Sequence, residues 1–205
     1  MTRIGVLALQ GDFAAHARVL RDLGAEAVEV RVPSELSGLD GLVIPGGEST
    51  TLLNLMDDAP WFPALRSFHA EGGAIMGTCA GAILLAREVT GPKQESLGLI
   101  DATIARNAYG RQVDSFESDI DCPALGGTIP AVFIRAPRFD RIGPEVTRLA
   151  VLDGQPVMIR QGSVLALTFH PELTRNDAVH RYFLAMAREG VTTEAGARAP
   201  AGRTL

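Results

Sequence analysis

The chain has 205 residues, of which 46% are hydrophobic and 21% charged, enough apolar material for a packed core and too little charge for a disordered chain. A formal net charge of -5 with no Lys/Arg run excludes the electrostatic footprint of a nucleic-acid binder. No apolar stretch reaches the roughly 20 residues of a membrane span, the segment Met1 to Gln10 is too short for a secretory signal, and two cysteines make no disulfide framework, so a cytoplasmic protein without a membrane partner is expected.

The apolar run from Arg3 to Leu9, then Gly11 and Asp12, then Phe13, Ala17, Leu20 and Leu23 at helical spacing, reads as strand, turn and helix. Asp12 caps that helix, Gly24 ends it, and Ala27 to Val32 is the next strand. Gly41 to Ile44 is a third strand, closed by Pro45, Gly46 and Gly47, and Ser49 to Met56 and Trp61 to Ala70 are helical. After Gly72 and Gly73, Ala74 to Met76 forms a short strand. This alternation predicts an α/β fold with a mostly parallel central sheet and helices on both faces. From Asp101 to Ile120 and from Val151 to Phe169 the pattern is extended, with turns at Asn107 to Gly110 and Gln161 to Ser163, so antiparallel strands extend the sheet. Thr174 to Arg188 is a final helix with Thr174 or Asn176 near its cap. One domain, residues 1–190, precedes a loose tail at 191–205, where almost nothing large is left to bury.

Gly77, Thr78, Cys79, Ala80 and Gly81 spell G-x-C-x-G between that short strand and the helical run Ala82 to Arg87, a nucleophile elbow with sulfur in place of hydroxyl. The helix start favours thiolate, and the Ala80 N–H is free to bind an oxyanion. Cys122, followed by Pro123 in an irregular stretch, reads as a small core residue, and neither cysteine has a partner at metal-ligand spacing. A cysteine nucleophile needs a base. Of four histidines, His170 ends an apolar strand and is held extended by Pro171, and Glu172 two residues on can fix its tautomer. His16 and His180 fall in helical patterns and read as helix-surface groups, and His69 lies late in a helix, where a cation suits the dipole. Gly46 and Gly47 read either as an ordinary turn or as a source of backbone N–H groups, and Arg106 and Arg135 either as solvated strand residues or as partners for a substrate carboxylate.

The G-T-C-A-G elbow and the F-H-P-E segment resemble the class I glutamine amidotransferases, with their Cys, His and Glu in that chain order. The resemblance is closest to the glutaminase subunits of pyridoxal 5'-phosphate synthases. It is carried by G-V-L-A-L-Q-G-D-F-A-A-H at Gly5 to His16, L-V-I-P-G-G-E-S-T-T at Leu42 to Thr51 and A-R-N-A-Y-G-R-Q at Ala105 to Gln112. S-F-E at Ser115 to Glu117, V-F-I-R-A-P at Val132 to Pro137 and T-F-H-P-E-L at Thr168 to Leu173 add to it. Asp12 and Phe13 are less typical of the pattern. The resemblance implies a flavodoxin-like fold and a triad of Cys79, His170 and Glu172. It further implies L-glutamine contacts at Gly47, Glu48, Ser49, Arg106, Ile134 and Arg135, and an oxyanion hole from the backbone of Gly46, Gly47 and Ala80. It also implies ammonia delivery to a separate synthase subunit whose docking switches on the glutaminase, with no metal or organic cofactor.

Overall fold

The computed structural model describes residues 1–106 and 115–197, with residues 190–197 as backbone only. Strand β1 (Arg3–Leu7) leads through α1 (Phe13–Asp22) to β2 (Glu26–Val30) and β3 (Gly41–Ile44). Helices α2 (Ser49–Met56) and α3 (Trp61–Ala70) precede β4 (Ala74–Thr78), which turns directly into α4 (Ala80–Leu85). Then come β5 (Ala86–Thr90), β6 (Ile100–Ala105), β7 (Phe116–Cys122), β8 (Gly127–Phe133), β9 (Arg138–Ile142), β10 (Thr147–Leu152), β11 (Gln155–Gln161) and β12 (Val164–Leu167). Helix α5 (Ala178–Ala197) closes the described chain.

Among the described residues the main sheet has nine strands in the order β2-β1-β3-β4-β12-β11-β10-β7-β8. The pairings from β2 to β12 are parallel and those from β12 to β8 antiparallel, so a parallel core is extended by antiparallel strands as expected. Strands β3 and β12 are apolar at every position because both faces of the sheet are covered, and residues of the core strands alternate between two cores. Leu42, Ile44, Ile75, Val164 and Ala166 face α2, α3 and α4 with Leu52, Trp61 and Leu65. Val43, Met76, Leu165 and Leu167 face the opposite side with Leu20 of α1 and Phe183 of α5.

Three expectations needed correction. The helix after the elbow spans Ala80–Leu85, and Arg87 lies in strand β5, because the extended backbone at Ala86 ends the helix just before the run to Val89 and Thr90. The last helix begins at Ala178 after a 3-10 turn at Pro171–Leu173, with Asn176 Oδ1 accepting from the Ala178 N–H at 2.9 Å. It continues to Ala197, into the stretch expected to be a tail. A three-stranded sheet, β5-β6-β9, had not been expected. The turn expected at Asn107 to Gly110 lies outside the described residues, while that at Gln161 to Ser163 joins β11 to β12.

Candidate active site

Cys79 stands between β4 and α4 with φ 49° and ψ -102°, a left-handed conformation that a non-glycine residue adopts only when its surroundings impose it. Here they do. The Cys79 N–H donates to the Leu167 carbonyl at 2.8 Å, its own carbonyl accepts from Ile83 N at 3.1 Å, and the glycines on either side let three backbones close up. A Cβ on Gly77 would lie 2.5 Å from the Gly81 carbonyl carbon, and one on Gly81 would collide with the Ile44 carbonyl oxygen. The elbow therefore requires both glycines for close approach.

The neighbouring strand β12 delivers His170. Leu167 pairs with Thr78, so the chain leaving β12 runs beside the elbow, and the His170 N–H is pinned to the Val132 carbonyl of β8 at 2.8 Å. A Cβ built on Gly46 would collide with His170 Cε1 and lie 3.2 Å from Cys79 Cβ, which puts sulfur-bearing and imidazole side chains together under the backbone of Gly46. His170 Nδ1 meets Glu172 Oε1 at 2.8 Å. Both side chains are buried, with residue exposures of 8% and 3%.

Burial alone would lower the pKa of His170, but hydrogen bonding and charge from Cys79 and Glu172 outweigh it and raise the imidazole well above its usual range. Burial likewise disfavours the Glu172 carboxylate, and contacts with His16 and His170 overcome this and hold its pKa far below the ordinary range.

A cavity of about 400 Å3 opens on this cluster. Gly46, Gly47, Glu48, Ser49, Arg106, Ile134 and Arg135 all line it, as do Cys79, His170 and Glu172. Glu48 caps α2, its carboxylate accepting from the N–H groups of Thr50 and Thr51. Those bonds outweigh partial desolvation and lower its pKa to about 2. Arg106 Nη2 donates to Thr50 Oγ1 at 2.9 Å and pairs with Glu48 at 3.4 Å. Ser49 Oγ donates to Gln94 Oε1 at 2.9 Å. Arg135 has φ 43°, a second strained non-glycine residue, and the preceding Ile134 carbonyl faces the Cys79 sulfur at 4.0 Å. Ala80, the first residue of α4, has no intrahelical partner for its N–H. A larger hollow of about 770 Å3 lies at the opposite end of β3 and β4, between Pro33 and Asp40 and the end of α3, far from this chemistry.

Several residues at the site were not singled out in the sequence. Gly11, Asp12, Ile83, Pro137 and Leu173 also line the cavity, and Gln10 Oε1 accepts from the Glu48 N–H at 3.2 Å. His16 and His180 are not helix-surface groups: both are fully buried, and His16 Nε2 lies 3.2 Å from Glu172 Oε2. Their spacing carried the signal, because His16 falls three residues after Phe13 and four before Leu20, and His180 three before Phe183, on the apolar faces of their helices.

The model of the SNO glutamine amidotransferase family matches residues 6–189. The pyridoxal 5'-phosphate synthase subunit PdxT of Deinococcus radiodurans is 53% identical over 191 residues, 91% of this chain and 97% of that protein. The subunit of the same name from Koribacter versatilis is also 53% identical, over 94% of this chain and 99% of its own length. A crystal structure of a glutamine amidotransferase superposes with a TM-score of 0.85 at 51% identity, covering 90% of this chain and 98% of that one. A putative GMP synthase protein from Thermoplasma acidophilum, 20% identical, shares the fold with a TM-score of 0.70 over 95% of this chain and 98% of its own. The chain belongs to the SNO glutamine amidotransferase family.

Proposed function

We propose that this chain is the glutaminase subunit of a pyridoxal 5'-phosphate synthase: it hydrolyses L-glutamine to L-glutamate and ammonia and supplies the ammonia to a separate synthase subunit. The observation that carries the reading is the convergence of Cys79, His170 and Glu172 on one cavity, of a size suited to a small ligand, in a chain more than half identical to subunits of that name.

In this reaction Cys79 gives its proton to His170, and the thiolate attacks the side-chain amide carbon of glutamine. The oxyanion is received by backbone N–H groups of Ala80 and of the Gly46 and Gly47 loop. His170 then protonates the departing nitrogen, ammonia leaves, and a thioester remains on Cys79. Water deprotonated by His170 attacks the thioester, glutamate is released and the thiol is restored. Glu172 holds the imidazole tautomer and stabilises the imidazolium in both halves of the cycle. Gly47, Glu48, Ser49, Ile134 and the guanidinium groups of Arg106 and Arg135 surround the amino-acid end of the substrate, with the arginines directed to its carboxylate. The residue set calls on no metal or organic cofactor for amide hydrolysis.

Docking of the synthase subunit raises the glutaminase rate. The test is glutamate release from glutamine by the wild type and Cys79→Ala, each with and without that subunit. The wild type is expected to gain activity in the complex, and Cys79→Ala to lose about 1000-fold or more. Equal rates with and without the synthase subunit would remove the coupling, and an active Cys79→Ala would remove the mechanism.

A further inference from the structure

We propose that His16 and His180 are positioning residues of the active site, a buried pair of imidazoles from α1 and α5 that holds the second oxygen of Glu172 and through it the orientation of His170. The proposal rests on the glutaminase reading above and extends it by two residues that touch neither sulfur nor the cavity.

Glu172 turns its two oxygens to different imidazoles: Oε1 to His170 Nδ1 at 2.8 Å and Oε2 to His16 Nε2 at 3.2 Å. The second contact is close, although its geometry falls short of a hydrogen bond, so it acts chiefly through the N–H dipole and packing. It matters because Oε2 is fully buried and has no other partner among the described residues. A buried carboxylate oxygen with nothing opposite it is costly, and rotation of the carboxylate to seek another donor would break the bond to His170. Among the described residues, the titratable groups facing Glu172 are His170 beside it and His16 on α1, with His180 on α5 behind His16.

The tautomers follow from the next link. His16 Nδ1 and His180 Nε2 lie 2.9 Å apart, so one donates and the other accepts. If His180 donates from Nε2, neutral His16 carries its hydrogen on Nε2, facing Glu172, and the unpartnered His180 Nδ1 is only a bare lone pair. If neutral His16 donates from Nδ1 instead, its Nε2 lone pair faces the carboxylate, and His180 is left with a buried N–H that nothing accepts. A His16 carrying both protons leaves that same orphaned donor on His180. The first arrangement is the one that satisfies both contacts without a stranded donor. Burial, with His16 adding to it and Glu172 opposing, pushes His180 down to about 3, so it remains the neutral member of the chain.

The test uses the full chain with its synthase subunit. A Gln side chain can return a donor near the position of a histidine Nε2, whereas Asn reaches only the position of Nδ1. His16→Asn is expected to lower kcat about tenfold or more with KM for glutamine unchanged within about twofold, and His16→Gln to recover most of the loss. Alkylation of Cys79 by iodoacetamide should move to higher pH in His16→Asn, because a poorly held Glu172 supports the imidazolium less well. His180→Gln against His180→Leu repeats the comparison from the other end, and decides the matter if His16→Asn fails to fold. Wild-type kcat and alkylation profile in His16→Asn, or equal losses in the Asn and Gln variants, would overturn the proposal. A wild type that released no glutamate would strike the glutaminase reading instead, and the alkylation profiles would still decide on the histidine pair.

Discussion

Cys79, His170, Glu172, His16 and His180 form a chain of polar contacts, and His180, at the far end, gives it a measurable acid limit. Burial holds the folded-state pKa of His180 at about 3, against an ordinary value of 6.5. Between those values the unfolded chain binds a proton that the folded chain refuses, so stability is full above pH 6.5 and is lost as pH falls, by up to about 1.4 kcal/mol per unit. His180→Leu removes this dependence: its unfolding free energy should fall less steeply than that of the wild type between pH 6.5 and 4.5, as denaturant titrations at stepped pH would measure. Glu172, depressed instead by its imidazole partners, contributes stability that is present above the ordinary carboxylate range and is lost only at lower pH. The grouping of Cys79, His170 and Glu172 was legible because each of its parts is local: a cysteine between glycines, and a histidine two residues from a carboxylate. The two buried histidines were not, because their partner lies on another element, and a histidine on a helix looks the same in sequence whether its face meets water or a carboxylate.

The elbow depends on the absence of side chains as much as on the presence of sulfur. Gly81→Ala would drive a methyl group into the Ile44 carbonyl and force β3 and α4 apart. Its expected cost is about 1–3 kcal/mol in thermal unfolding, with Cys79 alkylation slowed, since overpacking at a close backbone contact shifts the very turn that presents the thiol. Gly46→Ala separates the two effects: its methyl group meets His170 and Cys79, side chains at the edge of the cavity, so activity should fall much further than stability. Helices α2 and α3 were placed to the residue because α2 starts straight after the glycine pair and its Glu48 cap, and α3 has clear apolar spacing ahead of Gly72 and Gly73. Helix α4 was misplaced by two residues because it is buried all round, from Ala80 to Leu85, and offers no polar face to set a period. The small sheet of β5, β6 and β9 was not legible for a different reason: β5 and β6 pair parallel across the irregular stretch 91–99, and β9 joins them from well along the chain, a pairing that leaves no local trace.

Across the whole molecule, the cavity lies where the carboxyl ends of parallel strands converge. Loops after β1, β3, β4 and β12 contribute Gly11, Gly46, Cys79 and His170, and the strand order reverses direction between β1 and β3, where an open α/β sheet leaves a crevice. The antiparallel half adds the Ile134 and Arg135 wall after β8. The sheet as a mixed structure was foreseeable from the change of pattern along the chain; that Ile134 and Arg135 would line the cavity came from the family resemblance alone. Helix α5 is part of this body, because Phe183 and Leu184 are buried against the sheet, each worth about 1.5–3 kcal/mol. A chain ending at Ala197 should therefore keep the wild-type melting temperature and glutaminase rate, whereas one ending at Arg175 should not fold. No helix among the described residues is long and apolar enough to cross a membrane.

The Leu167 to Thr78 pairing fixes more than sheet topology. Cys79 and His170 are exported by two adjacent strands, so their separation is a difference between two strand lengths, and one extra residue between Val164 and Leu167 would advance the imidazole by about 3.3 Å and turn the strand's following residues to the other face. Leu165 and Leu167 of β12 can give way to apolar side chains of similar volume at modest cost, whereas the strand's length cannot change by one. Insertions and deletions there, rather than substitutions, are the lesions from which this active site has no local recovery.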